Sequence, residues 1–180
     1  IYGISKESAD SLVKYYRDKE EIFVCSGILY NHESPRRPGT YVTQKIIQGL
    51  QSGECFQIGN LESRRDWGHA KDYVKAMWLM LQQPWAVDFI IASGKTYSVR
   101  EFIEIVEKKL NKTMEWSGEG PNEVGSIDGK VAIQVSQEFY RSDNGTLLVG
   151  NNKSIEEIGW TREYDIDSLI EEMLCHPIEK

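Results

Sequence analysis

Phe89-Ile-Ile-Ala92 is a continuous apolar run, and Ser98-Val-Arg-Glu-Phe-Ile-Glu-Ile-Val106 follows it; the order of these two strings decides the fold class. A short unbroken apolar run marks a strand covered on both faces, as in a parallel sheet. Ser98 and Glu101 stand at the spacing of a capping box, so a helix opens there with Phe102, Ile103, Ile105 and Val106 on its apolar face. Strand, loop, helix is the resulting order. Working upstream, Ala70 to Gln83 reads as a helix with an apolar stripe at Tyr73, Val74, Met77, Trp78 and Leu81, stopped by Pro84. Cys55 to Ile58 reads as a short strand, and Val42, Ile46, Ile47 and Leu50 as one face of a helix that Gly53 ends. Residues 5 to 19 carry Ala9, Leu12, Val13 and Tyr16 at helical spacing and lead into Ile22-Phe-Val-Cys25, read as a buried strand. Asn31 to Thr40 and Arg64 to His69 read as polar loops. Downstream, Gly118 to Gly129 reads as a glycine-rich loop, Val131 to Val135 alternates weakly, and Leu147-Leu-Val149 is a short apolar run. Asn152 to Ile158 and Asp165 to Leu174 read as two closing helices. Strands alternating with helices predict an α/β layered fold with mostly parallel pairing.

The chain has 180 residues, 40% of them hydrophobic and 11% aromatic, enough for a sizeable core. Basic residues number 21 against 28 acidic, a net charge of −7, which argues against a nucleic-acid backbone as the main partner. Cys25, Cys55 and Cys175 are odd in number and far apart, indicating neither a disulfide framework nor a zinc site and pointing to a reducing, cytoplasmic location. The apolar stretches around Ile22 to Tyr30 and Ala86 to Ala92 are too short for a membrane helix, and no signal segment opens the chain. The start at Ile1, directly in a helical pattern, suggests a longer protein only partly represented.

Three groups of residues are candidates for chemistry. Tyr2 and Lys6 stand four apart on one helix face, where an ammonium beside a phenol favours the phenolate that a base for hydroxyl oxidation must become. Tyr15 with Lys19 and Tyr41 with Lys45 match the same spacing, so a solvated helix face is the competing reading. Asn31-His-Glu-Ser-Pro-Arg-Arg37 follows a strand, and ligands of open α/β sheets sit beyond the carboxyl ends of strands. An amide, an imidazole and two guanidinium groups there suit a phosphate-bearing ligand; a loop salt-bridged by Glu33 is the alternative. Arg64-Arg-Asp-Trp-Gly-His69 could clamp a pyrophosphate, or could be a helix-entry loop with Asp66 as cap and Trp67 in the core. Lys45 and Arg141 are further isolated cations, and His176 at the terminus carries no expected role. The sequence has no G-x-G-x-x-G loop, no P-loop, no nucleophile elbow and no metal-ligand cluster.

Over nearly its whole length the chain resembles the carboxyl-terminal half of the GDP-mannose 4,6-dehydratases, of the extended short-chain dehydrogenase/reductase superfamily. The resemblance rests on Tyr2-Gly-Ile-Ser-Lys6, Gly27-Ile-Leu-Tyr-Asn-His-Glu-Ser-Pro-Arg-Arg37, Val42-Thr-Gln-Lys45, Gly59-Asn-Leu61, Arg65-Asp-Trp-Gly-His-Ala-Lys-Asp-Tyr73, Ala76-Met-Trp-Leu-Met-Leu-Gln-Gln83 and Ser98-Val-Arg-Glu-Phe102. The Tyr-Lys pair marks the superfamily, whereas the Asn31 to Arg37 and Arg65 to Tyr73 strings select the dehydratase. The chain departs from the family at Arg141-Ser-Asp-Asn-Gly145, where the family usually shows Arg-Pro-Ala-Glu-Val, and at Pro38-Gly39 in place of Gly-Glu.

The resemblance implies oxidation of the sugar C4 hydroxyl with NADP⁺, loss of water across C5 and C6, and return of the hydride to C6, giving GDP-4-keto-6-deoxy-mannose. It implies Tyr2 as the base, Lys6 at the nicotinamide ribose, and His32, Arg36 and Arg37 at the NADP. The Ser34 to Arg37 loop would also reach a neighbouring subunit in a homo-oligomer, the family's tetramer. Asn31, Val42, Lys45, Arg65 and Arg141 would line the GDP-mannose site. The implied fold is the carboxyl-terminal part of a doubly wound, Rossmann-like parallel-sheet domain, residues 1–31 and 65–95, interleaved with a smaller α/β nucleotide-sugar-binding domain, residues 32–64 and 96–180. The family's glycine-rich loop and its catalytic Thr and Glu precede the Tyr-Lys helix, so the 180 residues alone are expected to be inactive. A related GDP-sugar epimerase or reductase, or a noncatalytic nucleotide-sugar-binding module, are the alternatives.

Overall fold

The structure is a computed structural model that describes residues 1–142 and 147–176. The expected helices form where their signals lie. Tyr2–Lys19 (α1) opens the chain, and Val42–Ser52 (α2) ends at Gly53, whose φ of 70° is the left-handed cap that glycine adopts without steric cost. Between them lie two short strands, Gly27–Leu29 (β1) and Asn31–Glu33 (β2). Phe56–Ile58 (β3) and Arg64–His69 (β4) precede Ala70–Met80 (α3). Phe89–Ile91 (β5) and Thr96–Ser98 (β6) precede Val99–Lys109 (α4), which carries the complete Ser98–Glu101 capping box. Glu115–Ser117 (β7), Val124–Ile127 (β8) and Lys130–Val135 (β9) are followed by helices Lys153–Glu157 (α5) and Ile166–Cys175 (α6).

The fold is α/β, as expected, but among the described residues its ladders divide equally between parallel and antiparallel. β1 pairs parallel with β5, β2 with β4, and β3 with β9, whereas β4–β6, β7–β8 and β8–β9 are antiparallel. One apolar core joins α2, α4 and α6 to the β3-β9-β8-β7 sheet through Ile46, Ile47, Leu50, Phe102, Ile133, Leu169 and Ile170. A second gathers Tyr73, Ala76 and Met80 of α3 with Phe89, Ile91, Ile155 and Trp160, whose indole N–H donates to the Asp72 carbonyl at 2.8 Å.

Five local expectations are corrected. The strand expected at Ile22 to Cys25 forms at Gly27–Leu29 instead, because the hydrogen-bonding partner, β5, lies opposite those residues; Ile22 and Phe23 stay exposed. The loop expected from Asn31 opens as β2. Arg64 to His69 is a strand with a buried second half, even though it is charged, because Asp66 accepts the backbone N–H of Ser93 and Gly94 at 2.7 and 3.0 Å. Gly118 to Gly129 contains β8 and the Asp128-Gly129 turn that joins it to β9, with φ of 51° and 74°, the left-handed pair that a two-residue hairpin loop requires. Finally, α3 stops at Met80 and turns Tyr73, Ala76 and Met80 inward, leaving Val74, Met77, Trp78 and Leu81 exposed.

Candidate active site

The parallel β1–β5 pair ends at Leu29 and Ile91, and Tyr30 continues the ladder by donating its N–H to the Ile91 carbonyl at 2.9 Å. Beyond that end lies an open cavity of about 320 Å³ lined by Ile28, Leu29, Tyr30, Asn31, His32 and Arg37. This is the position at which open α/β sheets bind ligands. β2 holds Asn31 and His32 because it pairs with Trp67 and Gly68 of β4, anchored in turn by Trp67, a core residue 2% exposed. His32 Nδ1 lies 3.0 Å from the Tyr30 carbonyl, which can only accept, so Nδ1 carries a proton. The ring packs on Tyr73 at 5.0 Å between centroids. Gly68 makes this possible, since a Cβ there would sit 2.4 Å from the Tyr73 ring. Burial pushes the Tyr73 phenol far above its ordinary range, so this tyrosine stays neutral.

Arg37 is fixed on two sides. Its Nε lies 3.1 Å from Glu33 Oε2, and its guanidinium stacks 3.6 Å from the Tyr41 ring centroid. Glu33 is 3% exposed and accepts the Thr43 hydroxyl at 2.8 Å. Burial pushes the Glu33 carboxyl up, while the Thr43 hydrogen bond and the Arg37 charge hold it down.

Neighbouring Arg36 faces elsewhere. It lines a second, larger cavity of about 1040 Å³ together with Ser34, Pro35, His69, Lys71, Lys75 and Glu172 among others, and His176 also borders it. His69 Nε2–H donates to Glu172 at 3.0 Å while Nδ1 accepts the Lys71 backbone N–H at 3.0 Å, which caps α3. Asp66, read as a cap in the sequence, instead satisfies the loop after β5, and His69 takes the capping role.

The other candidates stand apart from both cavities. Lys6 Nζ lies 5.5 Å from the Tyr2 ring centroid, on the shared face that the spacing predicts, and Tyr2 is 75% exposed. α1 is tied to the β5 side by Arg17, which donates to both carboxylate oxygens of Asp88 at 2.7 and 3.1 Å. Val42 is the half-buried first residue of α2, and Lys45 Nζ lies 4.9 Å from the Phe139 ring. Arg65 is exposed on β4 and donates to the Arg64 carbonyl. Arg141 is exposed, its carbonyl accepting from Asn60 at 3.2 Å; Asp143, Asn144 and Gly145 of the departure beside it lie outside the described residues. Among the described residues no cluster of His, Cys, Asp or Glu could hold a metal, and no helix is long and apolar enough to cross a membrane.

Sequence reasoning assigned no part to Glu33 beyond a loop salt bridge, and it missed the His69–Glu172 pair. Thr43 lies ten residues from Glu33 and Glu172 lies 103 from His69, so no local spacing announces those two partners.

A family model described as GDP-mannose 4,6 dehydratase matches residues 1–173. The chain belongs to the GDP-mannose 4,6 dehydratase family. Relatives in that family include the GDP-mannose 4,6 dehydratases of Dictyostelium discoideum and Homo sapiens. Both are 42% identical to the chain over 99% of its length, and the match covers 52% and 50% of their own lengths. The chain thus spans about half the length of these curated relatives. Among solved structures, RMD from Pseudomonas aeruginosa complexed with NADPH matches 97% of the chain and 55% of its own at 20% identity and a TM-score of 0.76. A dTDP-glucose 4,6-dehydratase from Bacillus anthracis in complex with NAD matches 97% of the chain and 50% of its own at 18% identity and a TM-score of 0.77. At these identities the structural likeness establishes the fold, the Rossmann-like architecture that the GDP-mannose 4,6 dehydratase family shares with them.

Proposed function

We propose that these residues form the substrate-side half of an NADP-dependent GDP-mannose 4,6-dehydratase that converts GDP-mannose to GDP-4-keto-6-deoxy-mannose. The observation that carries the reading is the meeting of Asn31, His32 and Arg37 at one cavity beyond the carboxyl end of the β1–β5 pair, in a chain that belongs to this family. The groups there fit part of a phosphate-bearing dinucleotide: an imidazole fixed through its Nδ1–H, and a guanidinium whose Nη atoms have no hydrogen-bond partner among the described residues. NADP⁺, when bound, supplies the hydride acceptor for C4 and the hydride donor for C6. Tyr2 takes the proton of the C4 hydroxyl, and Lys6, on the same helix face, favours its phenolate and holds the nicotinamide ribose. His32 and Arg37 hold the cofactor from the strand end. Asn31, Val42, Lys45, Arg65 and Arg141 line the GDP-mannose site, the cations facing its pyrophosphate.

The domain division of the sequence reading stays part of this proposal, although Ile155 and Trp160 of the second segment pack into the core of Tyr73, Phe89 and Ile91. The Ser34 to Arg37 loop, with Arg36 turned away from the cofactor-side cavity, supports a role for that arginine at a neighbouring subunit of a homo-oligomer. The absence of a dinucleotide-cradling glycine loop from these residues, and a match to half of each relative, support inactivity of the 180 residues in isolation. A cytoplasmic location accords with three unpaired cysteines. Turnover assays with the intact protein and NADP⁺ test the reading. GDP-mannose is expected to yield the 4-keto-6-deoxy sugar while UDP-glucose and dTDP-glucose do not react; preference for a uridine or thymidine sugar overturns it.

A further inference from the structure

The loop between β2 and α2 contains Pro35, Pro38 and Gly39 and has no regular structure of its own across most of its length, so the position of Arg37 depends on side-chain anchors. One carboxylate oxygen, Glu33 Oε2, serves both anchors: it accepts the Thr43 hydroxyl at 2.8 Å and lies 3.1 Å from Arg37 Nε. The Nε contact is off the line of a straight hydrogen bond, so charge, and not a directed bond, ties the guanidinium to Glu33. A carboxylate with freedom to rotate would take an arginine through its two-pronged fork and leave nothing for a ligand. Glu33 is buried at the end of β2, and Thr43, buried on α2, holds one of its oxygens. Tyr41 closes the other side by stacking on the guanidinium.

We propose that Glu33 and Thr43 are positioning residues that hold Arg37 at the wall of the smaller cavity by its Nε side, keeping its Nη1 and Nη2 fork for a phosphate of the bound nucleotide. The proposal rests on the reading of Arg37 as a cofactor contact. Glu33 and Thr43 touch no ligand themselves and act only through Arg37, while the strand pairing of β2 and the start of α2 remain as they are. Removing either anchor therefore weakens binding only as far as Arg37 contributes to it.

The test is NADP⁺ binding to the intact protein, measured by calorimetry for Arg37→Ala, Glu33→Gln, Thr43→Val and Thr43→Ser, and for Arg37→Ala combined with Glu33→Gln or Thr43→Val. Arg37→Ala is expected to weaken binding about tenfold or more, and Glu33→Gln and Thr43→Val several-fold, as for a charge-assisted hydrogen bond lost or loosened. Thr43→Ser, which keeps the hydroxyl, is expected to bind like wild type. Neither double variant should bind more weakly than Arg37→Ala alone. Additive losses, or wild-type affinity in Glu33→Gln and Thr43→Val when Arg37→Ala is impaired, overturn the proposal and leave the cofactor reading standing. Wild-type affinity in Arg37→Ala overturns that reading and the proposal with it. Should Glu33→Gln fail to melt cooperatively, the Thr43 pair of variants decides the same question.

Discussion

Arg36 and Arg37 are adjacent in the chain, yet they line different cavities: Arg37 shares one with Asn31 and His32, Arg36 the other with His69 and Glu172. Two guanidinium groups that a sequence reading places on one ligand therefore serve two surfaces of a single loop.

The expected consequence is a division of effects. In the intact protein Arg37→Ala weakens NADP⁺ binding about tenfold, whereas Arg36→Ala changes it by less than about twofold and instead lowers the fraction of oligomer seen by sedimentation. Equal effects of the two substitutions on NADP⁺ affinity would contradict the division.

Histidine 69 makes stability depend on pH. Burial pushes its pKa below the ordinary 6.5, and the Lys71 hydrogen bond holds the Glu172 carboxyl below the ordinary 4.5. In both cases the unfolded chain takes up the proton first. The stability that these groups supply is complete above the ordinary histidine value and is lost as pH falls through it, with the Glu172 share following in the carboxylate range. Urea unfolding at pH 7.5 and 5.5 should show a smaller loss on acidification for His69→Gln than for wild type. Equal losses would count against the assignment.

Buried polar groups without partners are rare, and Gln44 is one: it is 0% exposed, and neither amide atom has a hydrogen-bond partner. Such a group costs about 1–3 kcal/mol, and methionine has nearly its shape. Gln44→Met is expected to stabilise the protein by about 1 kcal/mol in denaturant unfolding. A lower midpoint would show that the amide is satisfied by a bound water.

What the sequence made legible was local. The Ser98–Glu101 capping box and the Gly53 cap lie within a helical turn of what they control, so α4 and α2 form where spacing puts them. The Asp128-Gly129 turn was equally local but was hidden among neighbouring glycines that suggested a loop. β4 was illegible because the groups that let Asp66 be buried, the N–H donors of Ser93, Gly94 and Gly150, lie 27, 28 and 84 residues away. The same holds at the site. Asn31 and His32 could be placed at a strand end by pattern, but the split between Arg36 and Arg37 depends on the Glu33 carboxylate and on Thr43 across the loop. The α3 stripe failed because periodicity finds an apolar face without saying which part of it meets the core.

The most direct test of the account is Tyr2→Phe in the intact protein, assayed for conversion of GDP-mannose and, separately, for GDP-mannose binding. The account predicts a fall in turnover of about a hundredfold or more, the contribution of a positioned general base, with substrate affinity unchanged. Turnover equal to wild type would contradict it.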